Sequence, residues 1–384
     1  MTNFDRSASR AQSASFKWQI TNQPEHYDVT AMTVADMDFE TPSFIFDHLI
    51  PRSHVLGYDA VDDAYFNSII NWQQRHQQIA LQKDEIIPLT GVLPGLSYAI
   101  RALSQPEESV LVFTPVYNPF FAAIKGAHRN LLAFDLSLQE DGQYHIDFEA
   151  LEKVFHSQPI PLMVICNPQN PSGHVWSKED LNHLIELAKH YNSRIIADEI
   201  HQDLVYNPRE FTSFLTLPEA DQYGLVLTAA TKTFNMPGIK NAYMLIKDAT
   251  MRDQIQAIIS GEFGDDTIST FGYRATTAAL TYGEQWHDDL MTYLDHNRHV
   301  AFDLFKQSKI TAMWPQATYL MWLDFSATGL DDATIADKLV NEAKVELNDG
   351  ARYGEAGAHW FRLNFATQTA QMTAAIERII HVFG

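Results

Sequence analysis

The sequence of 384 residues contains one cysteine, Cys166. A single thiol excludes an internal disulfide and fits a reducing cytoplasm. It closes an apolar run, where a thiol packs as a small buried hydrophobe. Cations are also scarce: 27 Lys and Arg stand against 48 Asp and Glu, for a net charge of −21. Nucleic acids and anionic membrane surfaces need clustered cations, so neither is expected as a partner. An anionic ligand would have to be held by a local device, not by the overall field. No apolar run reaches membrane-spanning length, and the N-terminus lacks the apolar core of a signal peptide. Ser7–Ser15 is polar and reads as a flexible N-terminal arm. Low-complexity tracts and internal repeats are absent, and no metal site is assigned.

What is present is an α/β pattern. Short β-branched, apolar runs recur at Val110–Phe113, Leu131–Phe134, Leu162–Ile165, Arg194–Ala197, Leu225–Leu227 and Ala242–Ile246. Helical spacing separates some of them, as in Leu181, Leu184, Ile185 and Ala188, with a capping signal at Ser177 and Asp180. Such alternation predicts a mostly parallel sheet covered on both faces. Gly91–Gly95 precedes a helical pattern over Leu96–Leu103, and the free N–H groups of a first turn can bind phosphate. The last third predicts a smaller α+β unit: a long helix over Tyr282–Phe305, strands at Thr318–Phe325 and Trp360–Phe365, and helices over Asp332–Ala343 and Gln371–Val382. The expected division is an N-terminal arm with part of the small domain (1–45), a large domain (46–275) and a small C-terminal domain (276–384).

Polar residues fall where chemistry is expected. Asn167 follows one run, Asp198 ends another, and Lys232 follows a third after a short turn. In open α/β sheets, ligands sit beyond the carboxyl ends of the strands. Polar residues collect at strand ends in any such fold, but the set of types here is specific. A lysine to form an imine, an aspartate for a pyridinium nitrogen, an asparagine for a phenolate oxygen and an arginine, Arg362, for a carboxylate are the parts of a pyridoxal-phosphate enzyme.

Longer segments carry a resemblance. They are Val34–Phe39 (VADMDF), Gly57-Tyr58, Trp72–His76, Thr114–Phe120, Asn167–Gly173, Ala197–His201 (ADEIH), Lys232–Asn235 (KTFN), Tyr319–Asp324 and Arg362–Ala366. On these the chain resembles the fold-type I, class I/II aminotransferase family, and within it the cystathionine β-lyase branch of the MalY/PatB type. The resemblance implies pyridoxal 5′-phosphate as cofactor and a large domain with a mostly parallel sheet plus a smaller α+β domain. It implies that Lys232 carries the cofactor, that Asp198 faces its ring nitrogen, that Asn170 bonds its ring oxygen and that Tyr117 stacks on its face. Val92 and Leu93 backbone N–H groups, with Thr231 and Lys240, would hold the phosphate. His201 stands near the ring oxygen, where related transaminases often have tyrosine. Arg362, with Ala35 and Asn170, would contact the substrate. A homodimer with shared sites is implied, Tyr58 reaching a phosphate in the partner subunit. Tyr58 or Lys232 would protonate a leaving sulfur. The chain departs from the pattern at Met32-Thr33, where tryptophan is common, at Ala229-Ala230 and at Lys240, which gives up an arginine's bidentate geometry. The expected activity is carbon–sulfur β-elimination. An aminotransferase is the alternative, and a regulatory protein using the fold as a binding scaffold is another.

Overall fold

The computed structural model describes residues 2–384 apart from Ser7, Ala8, Arg52, His54, Leu56, Tyr58 and 264–267. Among these residues a seven-stranded sheet forms the centre. Its strands are β1 (Ile86–Leu89), β2 (Ser109–Thr114), β3 (Asn130–Asp135), β4 (Leu162–Cys166), β5 (Arg194–Asp198), β6 (Gly224–Thr228) and β7 (Ala242–Leu245). Their order is β1-β7-β6-β5-β4-β2-β3. Only β7 opposes the rest, running antiparallel to β1 and β6. All the apolar runs singled out between 110 and 246 are strands. The strand not foreseen is β1, a short edge strand that contains Pro88, the position where a sheet tolerates proline.

The continuous apolar character of the inner strands follows from burial on both faces. In β4, Met163 and Ile165 enter one core, while Leu162, Val164 and Cys166 enter the other. Cys166 is the buried hydrophobe expected, and burial pushes its thiol well up. The helix Lys178–Tyr191 covers one face through Leu181, Leu184, Ile185 and Ala188. It begins at the anticipated capping box: Asp180 N–H donates to Ser177 Oγ at 3.0 Å, and Ser177 N–H donates to Asp180 Oδ2 at 3.2 Å.

A smaller antiparallel sheet lies towards the C-terminus. Its strands β8 (Thr311–Ala312), β9 (Leu320–Asp324), β10 (Asn348–Asp349) and β11 (Trp360–Asn364) run in the order β8-β9-β11-β10. Thr30–Ala31 pairs in parallel with Val345–Glu346, so early residues join this side. The long helix expected over 282–305 is Glu284–Phe305, and a separate helix, Thr270–Tyr282, precedes it. The break is Gly283, where a Cβ would lie 2.2 Å from Phe234 Cε1 and 2.3 Å from Ala279 O. The N-terminal arm is not loose at Arg10 and Lys17. Arg10 pairs with Asp36 at 2.7 Å and Asp38 at 2.8 Å, and the buried Lys17 pairs with Asp38 at 2.8 Å. Among the described residues no helix is long and apolar enough to cross a membrane.

Gly224 opens β6 where a Cβ would stand 2.2 Å from Ile195 O and 2.8 Å from Phe214 Cε1. Backbone has to move to admit it. Gly224→Ala is expected to destabilise the fold by about 1–3 kcal/mol, read as a lower urea midpoint; an unchanged midpoint would show that the β5–β6 contact yields freely.

Candidate active site

Strands β4, β5 and β6 end side by side. Asn167 N–H donates to Asp198 O at 2.9 Å, and Glu199 N–H donates to Leu227 O at 2.8 Å. Polar side chains just past these ends therefore share one location. They line a cavity of about 730 Å³. Lys232, Asp198, Asn170, Tyr117, His201 and Arg362 all line it, as do Val92, Leu93, Thr231, Lys240 and Ala35. Every expected site residue is thus brought together except Tyr58, which lies outside the described residues. Asn167 turns away, donating from Nδ2 to Thr212 O at 3.3 Å and accepting from Trp176 N–H at 3.2 Å.

Lys232 sits four residues beyond β6. Its Nζ donates to Ala35 O at 2.5 Å, and Tyr319 Oη donates to the same oxygen at 2.9 Å. Burial lowers the amine to about 8, far below an ordinary lysine. The charges of Asp36 and Asp198 pull it up, while Arg362 and Lys240 push it down. Asp198, 3% exposed, lines the same cavity. Burial pushes its carboxyl up to about 7, against an N–H from Ile200 at 3.0 Å and the charge of Lys232. His201 is buried, and burial holds its imidazole well below the usual range, hence neutral. Its Nδ1 has no hydrogen-bond partner among the described residues.

Arg362 comes from β11, on the smaller sheet. Its two terminal nitrogens donate to Asn170 Oδ1 at 2.8 Å and to Asn348 Oδ1 at 2.7 Å. Both acceptors are neutral amides, so the guanidinium charge is left to attract an anion. Its Cζ lies 5.4 Å from the centroid of Tyr353. At the same cavity the helix Val92–Leu103 opens on Gly91 with no side-chain cap. It starts earlier than the sequence pattern implied, so Val92, Leu93 and Pro94 form its first turn. The first helical bond is Gly95 N–H to Gly91 O, which leaves the Val92 and Leu93 N–H groups for an anion. Thr231 and Lys240 stand at the same cavity.

Sequence reasoning did not single out the residues that hold the wall at 33–39. Asn235 Oδ1 accepts Met37 N–H at 2.9 Å, and its Nδ2 donates to Phe39 O at 2.7 Å. Asn364 Nδ2 donates to Val34 O at 2.7 Å and Asp36 O at 2.6 Å. Asn348 Oδ1 accepts Val34 N–H at 3.0 Å. Two of these asparagines end the KTFN and RLN segments, so their role was visible as a letter but not as a contact. Asn348, Arg352 and Tyr353 also line the cavity. They sit in a two-residue strand and a 3₁₀ turn, which carry no hydrophobic period.

Comparison with known proteins gives concordant findings. The family described as aminotransferase class I and II matches residues 51–379. Cystathionine beta-lyase PatB of Bacillus subtilis (strain 168) is 35% identical, over 98% of each chain. Protein MalY of Escherichia coli (strain K12) is 30% identical, over 92% of this chain and 91% of that one. Cystalysin from Treponema denticola, solved with a pyridoxal 5′-phosphate cofactor, superposes with a TM-score of 0.94 at 28% identity, over 100% of this chain and 98% of that one.

The residues present fit that cofactor on three observations. An uncapped helix start with Lys240 suits a phosphate. A desolvated carboxyl at Asp198 suits a protonated ring nitrogen. A lysine amine lowered towards neutrality suits attack on an aldehyde. Only the neutral amine attacks. At pH 8 an ordinary lysine is almost all charged, whereas Lys232 is about half neutral. Capture of pyridoxal phosphate by cofactor-free protein is therefore expected to speed up as pH rises and to level off above about 8, followed by visible absorbance. Borohydride reduction and peptide mapping should place the label on Lys232. A label elsewhere, or a midpoint near that of free lysine, would sink the assignment.

Proposed function

We propose, for a chain that belongs to the aminotransferase class I and II family, that it is a pyridoxal-phosphate-dependent carbon–sulfur β-lyase. Its substrates would be cystathionine or related cysteine S-conjugates, and its products pyruvate, ammonia and a thiol such as homocysteine. The observation that carries the reading is the Lys232 amine, lowered to about 8 in one cavity with Asp198 and Arg362. The choice of elimination is supported by the name and near full-length similarity of the PatB relative.

Pyridoxal phosphate, when bound, supplies an electron sink for the bond broken at the substrate Cα. The chain does the rest. Arg362 binds the substrate carboxylate and fixes the Cα–H direction. Lys232 is a base of suitable strength to take that proton. Asp198 holds a proton on the ring nitrogen by direct charge attraction. Val92, Leu93, Thr231 and Lys240 anchor the phosphate, and Tyr117 covers the ring face. Elimination then needs an acid for the departing sulfur, for which Lys232 and Tyr58 are the candidates. The reading includes a homodimer with Tyr58 shared across it. It is supported by the exposed apolar residues Phe46, Ile50 and Val55 in the stretch just before that position, surface that a partner subunit would cover. Sedimentation of a fully active monomer would refute the dimer.

With cystathionine and no keto acid, purified holoenzyme is expected to release pyruvate, ammonia and homocysteine. Strict dependence on added 2-oxoglutarate, with amino transfer to it, would make the protein an aminotransferase instead. Asp198→Asn is expected to keep the fold and lose about a hundredfold or more in turnover, the scale of a lost preorganised charge partner; near-normal turnover would remove Asp198 from the chemistry. Arg362→Lys should lower kcat/KM, because an ammonium cannot reproduce the fork, and an unchanged value would leave Arg362 with a structural role alone.

A further inference from the structure

Beside the cavity that holds Lys232 lies a second one, of about 510 Å³. Phe16, Val34, Asn348 and Arg352 line both. Arg352 belongs to the short helix Gly350–Tyr353, which follows directly on β10. In the smaller sheet Asn348 of β10 pairs with Arg362, the same residues that meet through their side chains. Arg352 is thus four residues along from the amide that steadies Arg362.

The two arginines are in opposite situations. Arg362 is 3% exposed and already forked between two amide oxygens. Arg352 is exposed, and among the described residues it makes no ion pair or side-chain hydrogen bond. Its charge still reaches the outer cavity, where it draws down the Glu346 carboxyl that burial pushes up. Glu346 and Asp349 both line that outer cavity. Phe16 adds an exposed aromatic ring at the shared wall. One cation, two carboxylates and an apolar wall therefore line a cavity that shares a wall with the one holding Lys232.

That set matches a particular leaving group. Cystathionine joins two amino-acid heads through a thioether chain. One head is taken by Arg362 and the region of Lys232. The other departs with the sulfur, and it carries a carboxylate and an ammonium of its own. We propose that the outer cavity is the subsite for this departing half, with Arg352 taking its carboxylate, Glu346 and Asp349 facing its ammonium, and Phe16 packing on its methylenes. The assignment rests on the lyase reading and narrows its substrate class to thioethers whose leaving half is itself an amino acid.

The test compares pyruvate release by the holoenzyme from L-cystathionine, from S-ethyl-L-cysteine, whose leaving thiol is uncharged, and from S-aminoethyl-L-cysteine, whose leaving thiol is cationic. The wild type is expected to favour cystathionine in kcat/KM. Arg352→Gln should reduce its preference over the ethyl substrate about tenfold, the scale of one charge-assisted hydrogen bond, mainly through KM. Arg352→Lys should keep part of the preference. Arg352→Glu should reduce it further and shift selectivity towards the aminoethyl substrate. Because Arg352 is exposed, these variants should fold, and retained cofactor absorbance checks this. Preferences unaltered in both Arg352→Gln and Arg352→Glu, while pyruvate is still released, would overturn this assignment alone. No pyruvate from any thioether with the wild type would overturn the lyase reading and the subsite together.

Discussion

The site depends on how the loop at 33–39 is tied to the rest of the molecule. That loop supplies the Ala35 carbonyl that receives the Lys232 amine, yet it has little regular structure of its own. Asn235, three residues after Lys232, grips its far end. Asn364, two residues after Arg362, grips its near end. Arg10 and the buried Lys17 hold its two aspartates. A side-chain amide offers both donors and an acceptor, so one asparagine can satisfy several backbone groups that no strand would pair. VADMDF, KTFN and RLN occur in one chain as parts of a single hydrogen-bonded junction between the two sheets.

The overall charge makes that junction necessary. A chain at −21 repels the anions that a phosphorylated cofactor and amino-acid substrates present. Local positive devices have to overcome the field, and they line two adjoining cavities. A helix start with Lys240 stands at one of them, Arg362 in its small-sheet wall, and Arg352 at the outer cavity. In the proposed reading each would attract a different anionic group.

Much of this was legible before any coordinates. Inner parallel strands are apolar on both faces, so their ends show in sequence as the points where polarity returns, and Asp198 and Lys232 mark two of them. The capping box at Ser177 was readable for a similar reason, since its two partners are three residues apart. What escaped has no period. Asn348, Arg352 and Tyr353 sit in a strand of two residues and a turn of 3₁₀ type, where composition does not say which way a side chain lies. The start of the helix at Val92 was hidden because Pro94 and Gly95 interrupt the apolar spacing, although Gly95 is required by its approach to Leu89 and Leu227.

The acceptor chosen for Lys232 explains why its amine stays low. A carboxylate hydrogen-bonded to Nζ would hold the proton on it and raise the amine above its ordinary value. A carbonyl carries no net charge. Ala35 O orients the amine without neutralising the burial that lowers it. The carboxylates of Asp36 and Asp198 act on it only through space, and Arg362 and Lys240 oppose them. The outcome is an amine near 8, a strength suited to the proton transfer proposed for it. Tyr319 donates to the same carbonyl and leaves that oxygen with two donors. The lysine is thereby aimed by geometry and tuned by desolvation, two controls that a salt bridge would have merged into one.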